Sequence, residues 1–93
     1  MADHGEVEAY RILLLIVRSL VDEPEAVGIG ITLGQRSTTF RLIADQQNTA
    51  LLLGRSGRTA RSIRTILTGM GTKAEWHYYL EIEGDTPDPG AFP

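Results

Sequence analysis

Apolar residues recur at helical spacing in the first part of the chain. Between residues 6 and 21 they alternate in steps of three and four, which predicts an amphipathic helix with one buried face. Pro24 is expected to end this helix, because proline disfavours helical backbone in the residue before it. The stripe consists of Val7, Tyr10, Leu14, Val17 and Val21.

Two further helices are predicted around a pair of glycines in the second half of the chain. Asp45 or Asn48 can cap a short helix that runs to Leu53 and ends at Gly54. A longer helix follows Gly57, and Gly69 and Gly71 are expected to end it. Its apolar stripe is Ala60, Ile63, Ile66, Leu67 and Met70.

Three other segments alternate with a period of two, which predicts strands. In residues 27–34 apolar side chains alternate with glycine and threonine, so we expect one buried face. Residues 38–44 form a second strand with Phe40 and Leu42 on one face, after a turn of hairpin length. The last strand places Trp76, Tyr78, Leu80 and Ile82 on one face.

The predicted order α-β-β-α-α-β indicates an α+β fold. The first two strands form an antiparallel hairpin, and the third returns through a two-helix crossover, so it should lie parallel to one of them. Three helices can cover only one face of this three-stranded mixed sheet, which leaves the other face open. We expect one domain over residues 6–83, a flexible N-terminus at 1–5 and a disordered tail at 84–93, which holds three prolines.

Composition narrows the class of protein. The chain has 93 residues and no cysteine, which excludes disulfides, thiolate metal sites and a cysteine nucleophile. The N-terminus has acidic residues where a signal peptide needs a basic segment. The longest apolar run, residues 12–17, is far too short for a membrane span. We therefore expect a cytoplasmic protein with no membrane partner.

The charge distribution is strongly uneven. The formal net charge is -3, yet residues 46–74 contain five cations and no acid. A basic surface of this kind on an acidic protein attracts polyanions through its local field. By composition alone, the alternative of a solvated helix face remains the more common explanation. The five cations are Arg55, Arg58, Arg61, Arg64 and Lys73.

The segment 54–57, Gly-Arg-Ser-Gly, joins the two predicted helices and has the chemistry of an anion site. Glycines let the backbone turn tightly and approach a ligand closely. Gly57 directly precedes a helix, whose first amide groups lack partners and favour a phosphate. Arg55 and Arg58 add positive charge there, and Arg61 and Arg64 continue it along the helix.

These residues carry a resemblance to a known family. The run Leu52–Gly57 resembles the apolar-apolar-G-x-x-G signature of KH domains, and the element order resembles their bacterial, type II form. Residues 19–27 and 54–65 also resemble the corresponding segments of the small single-domain bacterial KH proteins of the KhpA type. The resemblance covers about residues 7–83.

The resemblance implies a module that binds single-stranded RNA and is not an enzyme, with RNA-chaperone-like activity as an extension. It implies that the turn holds the RNA backbone and that bases lie in an apolar groove beside it. Leu53 and Ile43, with Leu52 and Ile63, are candidates for that groove or for the core, and a core position is the more common role for each of them taken singly. The implied protein partner is a second copy or a larger KH-domain protein. The chain departs from the family at Ala50, Leu51 and Arg55, where Gly, Lys and Lys are usual.

A second function class stays open, namely a protein interaction module that uses the KH fold to dimerise. The small side chains of Gly28, Gly30 and Thr32 favour it, because they allow another surface to pack closely. No metal site or cofactor is predicted, since neither His4 nor His77 has acids or cysteines spaced to join it. Among the aromatic residues of the last strand, Tyr79 is expected to be the better exposed.

Overall fold

The computed structural model describes residues 5–83 and has the predicted element order. The N-terminal residues 1–4 and the tail 84–93, with the predictions made for them, lie outside the described residues. No helix in the described part of the chain has the length and hydropathy needed to cross a membrane. The elements are α1 (Glu6–Leu20), β1 (Gly28–Gly34), β2 (Ser37–Ile43), α2 (Gln46–Leu53), α3 (Arg58–Ala74) and β3 (His77–Ile82).

The three strands form one mixed sheet in the order β1-β2-β3. Strands β1 and β2 pair antiparallel from Gly28 opposite Ile43 to Gly34 opposite Ser37. Strand β3 pairs parallel to β2, with Ser37 opposite His77. Both relations confirm the predicted hairpin and crossover, and the whole is the αββααβ arrangement of a type II KH fold.

The helices cover one face of the sheet and the other face is open, as predicted. Phe40 and Tyr78 meet edge to face on the covered side, with ring centroids 5.8 Å apart. On the open side Arg41, Tyr79 and Glu81 are exposed. The buried core draws on all three helices and on β2 and β3, and includes Leu13, Val17, Leu42, Leu52, Ile63, Leu67, Leu80 and Ile82.

One predicted helix end is confirmed and one is wrong. Helix α1 ends at Leu20, ahead of Pro24 and within one residue of the predicted end, and Pro24 begins a short 3₁₀ turn at Pro24–Ala26. Helix α3 continues through Gly69 and Gly71 to Ala74. Gly71 is buried, and a Cβ there would overlap the carbonyl oxygen of Trp76, so its small size allows the chain entering β3 to pack directly on the helix. Its packing thus offsets the modest cost of a glycine inside a helix.

The prediction that β1 has one buried face is only partly correct. Ile29 packs against the core, but Ile31 and Leu33 on the same face are 46% and 68% exposed. Strand β1 is an edge of the sheet, and α3 packs on β3 at the opposite edge. The second half of β1 therefore carries apolar side chains that no helix covers.

Candidate nucleic-acid interface

Helix α2 leads into the glycine turn with defined caps at both ends. The Asp45 carboxylate accepts a hydrogen bond from the amide of Asn48 at 2.8 Å, so of the two predicted capping residues the structure uses Asp45. The helix stops at Gly54, whose φ of 74° lies in the left-handed region. These caps fix where the turn begins.

The turn itself is tightly folded and presents its two central residues to solvent. Ser56 and Gly57 follow Gly54 with φ values of 56° and 73°. The amide of Gly57 donates to the carbonyl of Gly54 at 3.1 Å, which closes the turn. Arg55 and Ser56 are both exposed. A serine rarely adopts this backbone region, at a cost of about 1 kcal/mol, so its neighbours hold the turn in one shape.

Helix α3 begins directly after the turn and its N-terminus carries no side-chain cap. Gly57 occupies the cap position and there is no acidic residue in the first helical turn. The first amide groups of a helix have no partner within it, and the helix dipole is positive at this end. This end of α3 is therefore suited to receive an anion.

Three arginines surround this N-terminus without being neutralised. Arg55, Arg58 and Arg61 are exposed, and among residues 5–83 none of them forms a salt bridge. The two salt bridges of the described chain lie elsewhere, on α1 and on the open face of the sheet. The positive charge of the turn and of the first half of α3 is thus available to a ligand.

Arg64 differs from the other three arginines. It is half-buried, and its Nε donates to the carbonyl oxygen of Leu80 on the free edge of β3 at 3.4 Å. The side chain therefore ties α3 to β3 while its charge extends the line of arginines that begins at the turn. Sequence spacing predicted the line but not this contact.

A cleft of about 680 Å³ lies between the second half of α3 and the edge of β3. Arg64 lines it, so the arginines lead from the turn into the cleft. Thr68 and Thr72 form its helical wall. Their spacing of four residues places them on one face of α3, but the predictions for this helix rested on its apolar residues and its arginines and did not identify them. Two further charged residues line it, the cation Arg36 from the β1–β2 turn and the acid Glu75 after α3. The strand side is contributed by Trp76, His77, Tyr78, Tyr79 and Leu80.

Two of the candidate groove residues lie in different places. Leu53, the last residue of α2, is half-buried beside the turn and packs on the core. Ile43 is 44% exposed and shares the open face of the sheet with Arg41 and Gly28. Because the turn lies between two helices on the other face, the structure does not bring Ile43 together with it.

Aromatic residues at the start of β3 border the cleft. His77 and Tyr79 are exposed and stack with ring centroids 6.2 Å apart and an angle of 14°. Trp76 is half-buried and its indole Nε1 donates to the buried hydroxyl of Thr38 at 3.0 Å, which fixes the ring against β2. Within residues 5–83 no cluster of histidine and acidic residues is placed to hold a metal ion.

Comparison with known proteins gives one family. A family model described as KhpA/KhpB, KH domain, matches residues 11–82. The chain is 36% identical over 83 residues to the RNA-binding protein KhpA of Borreliella burgdorferi, covering 88% of this chain and 98% of that protein. It is 35% identical over 71 residues to KhpA of Listeria monocytogenes, covering 76% and 93%. With KhpA of Aquifex aeolicus it shares 34% over 71 residues, covering 76% and 90%. No solved structure matches it significantly.

Proposed function

The chain belongs to the KhpA/KhpB family of KH domains, and on this premise we propose that it binds single-stranded RNA through the turn at 54–57 and helix α3. The observation that carries the proposal is the set of exposed, unpaired arginines around the uncapped start of α3. The relatives named above are RNA-binding proteins, which supports the same reading.

The proposed contact begins with one RNA phosphate. The amide groups of the first turn of α3 donate to its oxygens, and Arg55 and Arg58 lie on either side of Gly57 to add charge-assisted hydrogen bonds. Gly54 and Gly57 allow the RNA backbone to come close, because neither carries a side chain. The proposal assigns no catalytic step, metal or cofactor to this site.

The next nucleotides follow the line of arginines. Arg61 contacts a neighbouring phosphate. Arg64 lies between the turn and the cleft, so an RNA strand that contacts it extends into the cleft. The cleft walls offer threonine hydroxyls on α3 and aromatic rings on β3, which suit stacking and hydrogen bonding with bases. Leu53 packs on the core beside the turn and so stabilises it. Ile43 is not part of the proposed contact, because it lies on the open face of the sheet.

Binding of this kind is mostly electrostatic, and we propose that it is weakly selective for sequence. Weak selectivity fits an RNA-chaperone-like role, in which many RNAs are bound briefly, and a cytoplasmic location is part of the same proposal. Leu51 and Ala50 are exposed on α2 at positions where similar sequences often carry Lys and Gly, so one cation fewer stands near the turn. We expect a lower affinity than a chain with Lys at position 51 would have.

Partnership with a second KH domain completes the proposal. One small domain contacts only about four nucleotides, and two linked domains gain affinity because the second contact becomes intramolecular. The partner is a second copy of this chain or a larger KH-domain protein. The uncovered apolar residues Ile31 and Leu33 favour such an interaction, and dimerisation without RNA binding is the alternative function.

The test is the double change Arg55→Asp and Ser56→Asp. Both side chains are exposed, so the fold should survive, while two negative charges now face the phosphate at the start of α3. We expect loss of detectable binding when a short single-stranded RNA is titrated and followed by residue-resolved NMR. Circular dichroism should be unchanged.

A matched control exists on α1. Arg18 and Ser19 form the same exposed Arg-Ser pair away from the turn, so Arg18→Asp with Ser19→Asp makes the same change in net charge. This control should lose little RNA affinity. If the variant at the turn binds as well as the parent, or if both double variants lose binding equally, the phosphate contact at the turn is excluded and dimerisation becomes the better account.

A further inference from the structure

The end of the cleft farthest from the turn is bordered by two charged residues that the proposed RNA contact does not use. Arg36 follows β1 in the hairpin turn, Glu75 follows α3, and both line the cleft. Each has a φ of 56°, in the left-handed region. Residues other than glycine keep this conformation only where the surrounding structure fixes it. The two residues therefore form a well-defined far opening of the cleft.

Two aromatic residues continue this far opening onto the open face of the sheet. The side chains of His77 and Tyr79 alternate with those of the buried Tyr78 and Leu80, so they stand on the face without helices. Their rings are stacked, with centroids 6.2 Å apart and an angle of 14°, and Tyr79 is 54% exposed. Both residues also line the cleft. The cleft is thus continuous, around the edge of β3, with an exposed aromatic pair.

The neighbours of the aromatic pair leave space above the sheet. Ser37 lies beside His77 and Thr39 lies beside Tyr79 in the register of β2 and β3. Strand β1 adds only glycine and threonine to the same two rows. Side chains this small do not reach over an aromatic ring, so a flat group from solution can stack on the pair.

The charges around the pair favour a nucleobase over a phosphate. Glu75 and Glu81 are exposed just before and just after the pair along the chain. Arg41 on the same face forms a salt bridge with Glu83 at 3.7 Å. A phosphate would meet these carboxylates, whereas an uncharged base can stack on an aromatic ring without a cation. The exposed cation Arg36 at the far opening is placed to hold the phosphate next to such a base.

We propose that His77 and Tyr79 form a second RNA subsite, which takes one unpaired base after the strand has left the cleft. The strand would run from the turn along α3, place a phosphate at Arg36 and stack its next base on the open face. The inference rests on the proposed function, because it needs an RNA that is held at the turn. It adds a contact on a face of the sheet that the turn does not reach.

The distance from the turn determines how long an RNA this subsite needs. Thr72, on the cleft wall near the far opening, lies about 21 Å along α3 from Arg58, at about 1.5 Å per residue. A glycine turn of this type holds about four nucleotides, so an RNA of that length fills the turn and the first part of the cleft. An RNA of about eight nucleotides, twice that length, would reach the aromatic pair.

Oligoadenylates of four and eight nucleotides test the subsite in titrations followed by residue-resolved NMR. The signals of Tyr79 should shift with the longer RNA. Tyr79→Ala should lower the affinity for the longer RNA by about tenfold, as expected for one stacked base, and should affect the shorter RNA much less. Tyr79→Phe should bind as the parent does, because it keeps the ring. Ile43→Ala is the control, since Ile43 is 44% exposed on the same face at the other end of β2, and it should also match the parent.

Removing bases while keeping every phosphate separates stacking from charge. Two further eight-nucleotide probes lack the bases of either the first two or the last two nucleotides. One of them should bind the parent about tenfold more weakly than the intact RNA and should bind Tyr79→Ala and the parent equally. Unchanged affinity for both probes would overturn the proposal, and so would equal losses in Tyr79→Ala and Ile43→Ala.

The subsite and the proposed function fail in different experiments. The Arg55→Asp, Ser56→Asp variant should lose both the short and the long RNA, because the strand is no longer held at the turn. If that variant binds both RNAs as the parent does, the contact at the turn is wrong. If the parent binds the short RNA at the turn and Tyr79→Ala binds the long RNA as the parent does, the subsite alone is wrong.

Discussion

Gly54 lies directly against Thr59. A Cβ atom on Gly54 would overlap the side chain of Thr59 and come within 2.9 Å of its amide nitrogen, and the φ of Gly54 is 74°. The turn and the first turn of α3 are thus packed on each other without space between them.

Gly54→Ala should therefore destabilise the fold by about 1–3 kcal/mol, because it adds a steric clash to an unfavourable backbone conformation. Urea unfolding followed by circular dichroism measures the change. Gly57→Ala is the matched control, since Gly57 has nearly the same φ of 73° but its added Cβ would meet nothing closer than Arg61 Nη1 at 3.9 Å. Equal losses in the two variants would show that the Thr59 contact is unimportant.

Two glycines of α3 should respond to alanine in opposite directions. Gly69 is exposed and an added Cβ would meet nothing within 4 Å, so Gly69→Ala should stabilise the protein by about 0.5–1 kcal/mol through helix propensity. Gly71→Ala should destabilise it, because the Cβ would overlap the Trp76 carbonyl oxygen. Thermal unfolding of both variants decides the matter, and a gain in melting temperature for Gly71→Ala would contradict the close approach of the chain before β3.

Arg61 and Arg64 are three residues apart on α3, but their replacement by alanine should affect the free energy of unfolding differently. Arg61 is exposed and its side chain contributes charge alone, so Arg61→Ala should weaken RNA binding and leave the free energy of unfolding within about 0.5 kcal/mol of the parent. Arg64→Ala also removes the bond to the Leu80 carbonyl and should cost about 0.5–1.5 kcal/mol of stability. Its effect on RNA binding should be smaller than that of the double aspartate change at the turn. Equal unfolding curves for the two alanine variants would count against the structural role of Arg64.

RNA affinity should fall with salt in proportion to the phosphates contacted. If about three or four phosphates are bound, log K against log salt should have a slope of about -2 to -3 for a single strand. Arg58→Ala should reduce the magnitude of the slope by about 0.7, since it removes one phosphate contact. Arg11→Ala on α1 is the control and should leave the slope unchanged. A flat profile for the parent, or strong preference for one short sequence, would argue against a binding mode based on the RNA backbone.

The alternation of apolar and polar residues predicted the helices and strands well, because each has its own short repeat of apolar positions along the chain. The alternation around Tyr78, Leu80 and Ile82 gave the buried face of β3 correctly, and all three are buried. The same alternation in β1 predicted a buried face that is half exposed at Ile31 and Leu33. Whether a strand face is covered depends on which helices pack above it, and that information is spread over the whole chain.

The position of the turn in the candidate site could be predicted from the sequence, whereas most contacts of its side chains could not. The spacing of Gly54 and Gly57 identified the turn, whereas the positive φ of Ser56 depends on both flanking elements. The low helix propensity of glycine predicted that α3 would end at Gly71. The packing of Gly71 against Trp76 offsets the free-energy cost of a glycine inside the helix, but this contact exists only in the folded protein. The hydrogen bond from Arg64 to Leu80 and the cleft beside it likewise depend on tertiary structure.

The parallel pairing of β2 with β3 also determines when the domain can be completed. The hairpin of β1 and β2 closes across a short turn, whereas Ser37 reaches His77 only after both intervening helices have been made. Long loops cost entropy before their contacts form, so β3 should join the sheet late in folding. During synthesis on the ribosome, β2 would remain a second open edge and α3 would lack the strand on which it packs. A chain that stops before His77 should therefore be prone to aggregation and to proteolysis.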